Sequence, residues 1–277
     1  HSEPLGGGIF KAYHWPGFPS GSEYDESNLL ELMRNKAFQI QNKGIPELNA
    51  PNPPKLLPIK NVADISWKGS TGASDYDILR ADEKDGPWKI ISENISDAGI
   101  QYYPLYHDET AQIGKKYYYK VIAKHSAGNS EPSNIVGPVA VSTQAFVDNM
   151  EDFMKMYHRK GELTIATNED RKFKEDRYRI SVSSGSKIVY YVPGNITDFK
   201  IYLFCQEEND ILDIFSSASG ESYKKLKTGS TSYFEGKGDY GYWYPILYQS
   251  QGPVNNSYLK LDFKQNSQIS RVEIYYE

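Results

Sequence analysis

The residues best suited to chemistry in this sequence crowd into Asp239-Tyr-Gly-Tyr-Trp-Tyr-Pro245, preceded by Glu235-Gly-Lys-Gly238. Flat rings beside a carboxylate match a ligand that offers apolar C–H faces and a rim of hydroxyls, as a sugar does. Glycines on both sides and Pro245 predict a loop entering a strand. Asp239, Tyr240, Tyr242, Trp243 and Tyr244 are therefore candidate carbohydrate-binding residues, with the rings stacking and Asp239 accepting hydrogen bonds from hydroxyls. Alternation along a strand lets only some of these rings face water. The competing reading makes Trp243 a core residue and the tyrosines strand-edge cover.

Other chemistry finds less support. Glycoside hydrolysis needs two carboxylates facing each other across a sugar, and the scattered Asp and Glu define no such pair, so no catalytic residue is assigned. The five histidines, His1, His14, His107, His125 and His158, show no i, i+4 pair around a Glu and no neighbouring Cys pair. A zinc site of ordinary spacing is absent from the sequence. Cys205 is the one cysteine and sits in the alternating stretch Asp198–Gln206. It reads as a buried small hydrophobe, without the electropositive exposed setting a nucleophile needs.

The elements that must position the aromatic segment are mostly strands. Aromatics make up 14% of the chain, with 23 Tyr against 11 Phe. Tyr suits half-buried strands, where the ring packs and the hydroxyl stays wet. The net charge of −5 is spread thinly, and no basic stripe of the kind that neutralises phosphates occurs, so nucleic acid is not an expected partner. The cluster from Arg171 to Arg179 carries Glu175 and Asp176 within it and reads as a solvated loop. No stretch approaches the ~20 apolar residues of a membrane-spanning helix.

Along the chain, residues 1–24 read as loop, with Gly6-Gly-Gly8 and Trp15-Pro-Gly-Phe-Pro19. Leu29, Leu30, Met33, Ala37 and Ile40 then share one face at helical spacing, with Asp25 and Ser27 as N-cap candidates and Gly44 and Pro46 as the stop. This predicts an amphipathic helix over 25–43. Asn49-Ala-Pro-Asn-Pro-Pro54 is a stiff linker. From 55 to 141, short alternating runs take over: Ala63, Ile65 and Trp67; Tyr76 and Ile78; Tyr117, Tyr119, Val121 and Ala123, with Lys116, Lys120 and Lys124 on the wet side. Turns at Gly72, Asp85-Gly-Pro87 and Ala127-Gly-Asn129 complete the rhythm of a β-sandwich. Residues 142–148 form a second boundary. Strands are then expected at 163–166, 178–182, 188–192, 199–205, 211–216, 258–263 and 272–276, spaced as in a jelly roll.

The order Ile65-Ser-Trp67, Tyr76-x-Ile78-x-Arg80, Gly114-x-x-Tyr117-x-Tyr119-x-Val121-x-Ala123 and Ser126-Ala-Gly-Asn-Ser-Glu-Pro-Ser133 closely resembles a fibronectin type III domain. That resemblance implies a core Trp67 and a tyrosine corner in which the Tyr117 hydroxyl bonds to backbone near Ala111–Gly114. The phrases Ile188-Val-Tyr-Tyr-Val-Pro193, Phe199-x-Ile-x-Leu203, Tyr258-Leu-Lys-Leu261 and Val272-Glu-Ile-Tyr275 resemble a galactose-binding-like β-sandwich, a fold many carbohydrate-binding modules share. Such modules often hold a structural calcium, for which Asp148, Asp152 and Asp262 would be the acids. Scattered surface acids explain these residues equally well, and no cofactor or metal is expected.

His1-Ser-Glu-Pro4, Phe10-Lys-Ala-Tyr-His-Trp-Pro-Gly-Phe18 and the helix resemble the last βα loop and helix of a family 5-like glycoside hydrolase, mannanase-type enzymes among them. A (β/α)₈ barrel takes about 250 residues, which neither 1–50 nor 143–277 supplies. The catalytic Glu residues of that family lie on barrel strands that this sequence does not contain. Glu3 and His14 would border the active-site mouth, although ordinary loop packing accounts for them better.

The expected organisation is thus mainly β: a loop and helix remnant of a barrel (1–50), a fibronectin type III-like sandwich (51–142) and a galactose-binding-like sandwich (143–277). The expected function is the non-catalytic C-terminal accessory region of a secreted polysaccharide-degrading glycoside hydrolase, inactive alone. Its partners would be polysaccharide and the catalytic barrel of the same polypeptide, at an extracellular, cell-surface or periplasmic site. The start at His1, without Met or an apolar leader, reads as a cut from a longer protein whose export signal is lost. The alternative is a structural tail that braces the barrel and binds no glycan.

Overall fold

The structure, a computed structural model, describes residues 2–4, 10–12, 23–24, 34, 49–98, 100, 103–166, 178–207, 210–232 and 243–277. The described residues are almost entirely strand, turn and loop, so the chain is mainly β. It divides into two compact units, His1–Ala98 with Pro104–Val141, and Gly99–Tyr103 with Ser142–Glu277.

The first unit contains β1 (Ser2–Pro4), β2 (Phe10–Ala12), β3 (Glu23–Tyr24), β4 (Lys55–Leu56), β5 (Trp67–Gly69), β6 (Asp75–Ala81), β7 (Lys89–Ile95), β8 (Lys116–His125), β9 (Gly128–Asn129) and β10 (Val136–Ala140). One sheet runs β10-β8-β6-β7 with β9 on β8, a second runs β3-β5-β4, and β1 pairs with β2. The expectation of plain loop over 1–24 therefore gives way to three short strands, one of them parallel to β5. The helix expected over 25–43 lies outside the described residues except for Arg34, which is helical.

Period-two alternation explains the core. Ala63, Ile65 and Trp67 are fully buried, as are Tyr76, Ile78, Tyr119, Val121 and Ala123. Trp67 packs against Tyr76 with ring centroids 5.2 Å apart. On the wet side of β8, the Lys120 ammonium lies 4.3 Å over the Trp88 ring.

The tyrosine that anchors a hydroxyl differs from expectation. Tyr119, not Tyr117, makes the buried bond, and it donates to Asp108 Oδ2 at 2.9 Å rather than to backbone. Asp108 also accepts from Arg80 Nη1 at 2.7 Å and from the Thr110 hydroxyl at 2.7 Å. Tyr117 instead lies under the Arg80 guanidinium, 4.3 Å from its ring centroid. A side-chain carboxylate on the loop before β8 thus takes the place of the backbone acceptor, and with the Thr110 N–H it serves four donors at once.

The second unit holds β11 (Gln144–Asp148), β12 (His158–Lys160), β13 (Leu163–Ala166), β14 (Arg179–Val182), β15 (Lys187–Tyr191), β16 (Ile196–Cys205), β17 (Leu212–Ser217), β18 (Lys224–Lys225), β19 (Thr228–Ser232), β20 (Tyr244–Ser250), β21 (Tyr258–Phe263) and β22 (Ser267–Tyr276). A seven-stranded sheet runs β13-β14-β22-β16-β20-β19, with β11 on β22, and a five-stranded sheet runs β12-β15-β21-β17-β18. Residues 142–148, expected to be a boundary, thus include a strand of the larger sheet.

The core lies between the two sheets. Ile201, Leu203, Cys205, Val272 and Ile274 belong to the same apolar cluster as Ile188, Tyr190, Leu259, Leu261 and Ile214. Ile269 and Val272 have opposite parity, yet both are fully buried members of that cluster. A register shift opposite Tyr202–Leu203 explains this, since Tyr202 pairs with Arg271 and Leu203 with Ile269, leaving Ser270 as the extra residue of a bulge. Cys205 is buried as expected. Arg179 corrects another expectation: it is fully buried on β14, with its guanidinium 5.6 Å from the Phe204 ring centroid, and is not part of a solvated loop.

Candidate functional site

The outer face of the five-stranded sheet carries the aromatic surface. On β15, Ile188 and Tyr190 are buried in the core, so alternation turns Lys187, Val189 and Tyr191 the other way. On β21, Leu259, Leu261 and Phe263 are buried in the core, which turns Tyr258, Lys260 and Asp262 to that same outer face. Register aligns them in rows: Tyr191 opposite Tyr258, Val189 opposite Lys260, and Lys187 opposite Asp262. From β17, Ser217, Phe215 and Asp213 extend the three rows. From β12, His158 stands opposite Val189 and Lys160 opposite Lys187.

Tyr157, just before β12, completes a tyrosine cluster. Its ring centroid is 5.8 Å from that of Tyr191 and 5.3 Å from that of Tyr258, while Tyr191 and Tyr258 are 4.8 Å apart. The interplanar angles are 50°, 76° and 41°, so the rings enclose a corner rather than tile a plane. Tyr157 is 62% exposed and Tyr191 43%. Large apolar rings gathered at an open surface mark an interaction site more often than chance exposure does.

Neighbouring groups fix the cluster. Ser217 Oγ accepts from the Gly220 N–H at 3.0 Å and the Ser219 N–H at 3.3 Å, shaping a turn that lays Gly220 against the Tyr258 ring. Partial desolvation raises the Tyr258 hydroxyl above the usual phenol range, aided by its hydrogen bond with Tyr157 and by Tyr191 and Tyr223. Tyr223 is raised by desolvation and then by Tyr157. Both hydroxyls therefore stay protonated at neutral pH.

Beyond the rings, the face is ionic. Asp262 Oδ2 is 2.9 Å from Lys187 Nζ and 3.5 Å from Lys260 Nζ. Lys260 Nζ also lies 4.2 Å over the Phe215 ring and 4.7 Å over Tyr223. Asp213 meets Lys225 at 2.5 Å and Lys264 at 3.0 Å. Desolvation pulls the Asp213 carboxyl upward, but hydrogen bonds from these two lysines outweigh it and hold the group below the ordinary range.

Of the aromatic segment singled out in the sequence, only Trp243 and Tyr244 fall among the described residues. Asp239, Tyr240 and Tyr242 lie outside the described residues. Trp243 and Tyr244 are half-buried; Tyr244 begins β20 in the larger sheet and packs against the core cluster. The acids considered for calcium are engaged by other groups of the protein. Asp148 accepts from the Met150 N–H at 3.0 Å and the Tyr190 hydroxyl at 3.0 Å, and Asp152 accepts from the Met154 N–H at 2.7 Å. Asp262 is held by lysines on the outer face. Among the described residues, no group of three or more His, Cys, Asp or Glu side chains is placed to hold a metal ion.

Sequence reasoning missed the cluster of Tyr157, Tyr191 and Tyr258, and only Tyr191 left a signal. Ile188-Val-Tyr-Tyr-Val alternates in phase with the core, which sends Tyr190 inward and Tyr191 outward.

No protein-family model matches the chain, and no curated protein matches it. Among solved structures, it is similar to an Fn3-like protein from Clostridium thermocellum at 22% identity, over 33% of this chain and 91% of that one, with a TM-score of 0.25. It is similar to a family 6 carbohydrate-binding module at 13% identity, over 48% of this chain and 94% of that one, with a TM-score of 0.32. It is also similar to CBM32-1 of a family 31 glycoside hydrolase from Clostridium perfringens at 14% identity, over 45% and 99%, with a TM-score of 0.26.

Proposed function

We propose that the chain is a non-catalytic accessory region in which the second unit binds carbohydrate and the first, fibronectin type III-like unit acts as a spacer. The observation that carries this reading is the exposed corner of Tyr157, Tyr191 and Tyr258 on the outer face of the five-stranded sheet. Sugar rings offer apolar C–H faces to such rings, and burial of that surface is favourable at roughly 25 cal/mol per Å². Because the rings are tilted by 41° to 76°, they suit one glycan chain entering a corner better than the flat surface of a crystalline polymer.

The resemblance of Phe10–Phe18 to the end of a family 5-like barrel supports a parent glycoside hydrolase that acts on polysaccharide outside the cytoplasm. Among the described residues, no helix is long and apolar enough to cross a membrane. Affinity electrophoresis through gels containing mannan, xylan, glucan, galactan, polygalacturonate and sulfated galactan tests the binding role. Retardation by at least one polymer, lost in folded Tyr191→Ala, is the expected result. Unretarded migration in every gel would sink the reading and leave a structural tail.

A further inference from the structure

We infer that the tyrosine corner takes an acidic glycan, with a sugar ring against Tyr191 and Tyr258 and its carboxylate or sulfate beside Lys260. The inference rests on the carbohydrate-binding reading and names the ligand class of that same site.

Lys260 is two residues from Tyr258 on one strand face, about 7 Å along the chain, the next row from the rings. Its side chain is 18% exposed, with the ammonium pinned over Phe215 and Tyr223. A cation held in this way has shed part of its water and paid its side-chain entropy before any ligand arrives. Its charge is only partly met. Lys187 and Lys260 share the single carboxylate of Asp262.

A third lysine adds to the excess. Lys160 stands directly opposite Lys187 in the β12–β15 pair and is exposed, and among the described residues no ion pair engages it. Like charges placed opposite each other across a strand pair are destabilising. An anion bound between this row and the tyrosines would reverse that repulsion. The other carboxylate of the rows, Asp213, is taken up by Lys225 and Lys264. The result is a local surplus of cations beside the aromatic corner, in a chain whose net charge is −5. A neutral sugar would use the rings and leave that surplus without a role.

The test is titration calorimetry on the full chain. The probes are polygalacturonate, alginate and a sulfated galactan, each paired with its carboxyl-reduced or desulfated counterpart. At least one acidic polymer should bind about tenfold or more tighter than its neutral counterpart, the weight of one charge-assisted hydrogen bond. Which polymer does so separates a carboxylate from a sulfate ligand. The preference should shrink as salt rises, since the lysines lie at the surface.

Lys260→Met keeps the stem over Phe215 and Tyr223 but removes the charge, and should erase the preference. Lys160→Gln, at an exposed position, should reduce it with the melting temperature undiminished or slightly raised by loss of the repulsion from Lys187, which guards against a folding defect in the first variant. Equal binding of every acidic polymer and its neutral counterpart would overturn the acidic-ligand inference while leaving carbohydrate binding intact. So would a preference that both lysine variants retain. Binding of no polymer at all would overturn both.

Discussion

Gly220 lies against the ring of Tyr258, so closely that a β-carbon built on it would come within 3.1 Å of both Cε1 and Cζ. Its φ of +80° is also one that residues with a β-carbon adopt at a cost of about 1–2 kcal/mol. Both facts make glycine the residue that lets the turn after β17 support the tyrosine corner. Gly220→Ala should therefore shift the Tyr258 ring by a few tenths of an ångström. The variant should remain folded, with a modest loss in thermal stability, and should show weaker glycan retardation. Retardation equal to the parent would show that the Tyr258 position is irrelevant to binding.

Much of this was legible in the sequence, and the reason is periodicity. Leu163–Ala166 and Tyr258–Phe263 are strands with the expected bounds, and Ala63, Ile65 and Trp67 share a buried face, because alternation fixes which side chains turn inward. The bulge at Ser270 was not legible, since an unpaired residue leaves no mark on composition. Nor was the site. Tyr157, Tyr191 and Tyr258 come from segments far apart in the chain, and only the pairing of β15 with β21 and the loop before β12 bring them together. The Asp239–Tyr244 run drew attention by density, but density says nothing of which face a ring occupies.

The Tyr119–Asp108 bond should matter to the first unit's stability. Asp108 is buried, and Tyr119→Phe leaves its carboxylate with Arg80 and Thr110 but one donor short. Burial, followed by Asp108, pushes the Tyr119 hydroxyl far above its ordinary pKa, so it remains a donor at any working pH. The expected loss is about 1–3 kcal/mol, read as a fall of several degrees in melting temperature. Trp67→Ala should cost more, about 3–5 kcal/mol. A Tyr119→Phe variant that melts with the parent would contradict the structural role of the bond.

The second unit should weaken in acid through Glu273. Burial would raise this carboxyl, but the charges of Arg271 and Lys200 and the hydrogen bonds from Tyr275 and Arg271 outweigh it and hold the group below the ordinary glutamate range. The bonds are short, with Arg271 Nε 2.7 Å from Oε1 and the Tyr275 hydroxyl 2.7 Å from Oε2. A pKa lower in the folded than in the unfolded state stabilises fully above the unfolded value, and that contribution is lost as pH falls through the folded one. Asp148 has the opposite sign, because burial raises it, and it favours the folded state as acid protonates it. Unfolding followed from pH 7 to pH 3 should show a steeper loss in the parent than in Glu273→Gln. Parallel curves would remove Glu273 as a source of acid sensitivity.

Where the glycan sits is decided by comparing two aromatic sets in one experiment. Tyr191 and Tyr258 are 4.8 Å apart at an open face, and removing either ring deletes contact area and one wall of the corner. Each of Tyr191→Ala and Tyr157→Ala should weaken binding about tenfold, equivalent to about 1.4 kcal/mol, with little effect on folding, because both rings are exposed in the free protein. Trp243→Ala and Tyr244→Ala should behave in the reverse way. Tyr244 packs on the core beneath β20, so its loss should lower the melting temperature and leave affinity per folded molecule unchanged. Thermal unfolding alongside calorimetry on all four variants separates the two patterns. If the Trp243 variant keeps its stability and loses affinity while the Tyr191 variant binds as the parent does, the sheet face is not the site and the segment before β20 is.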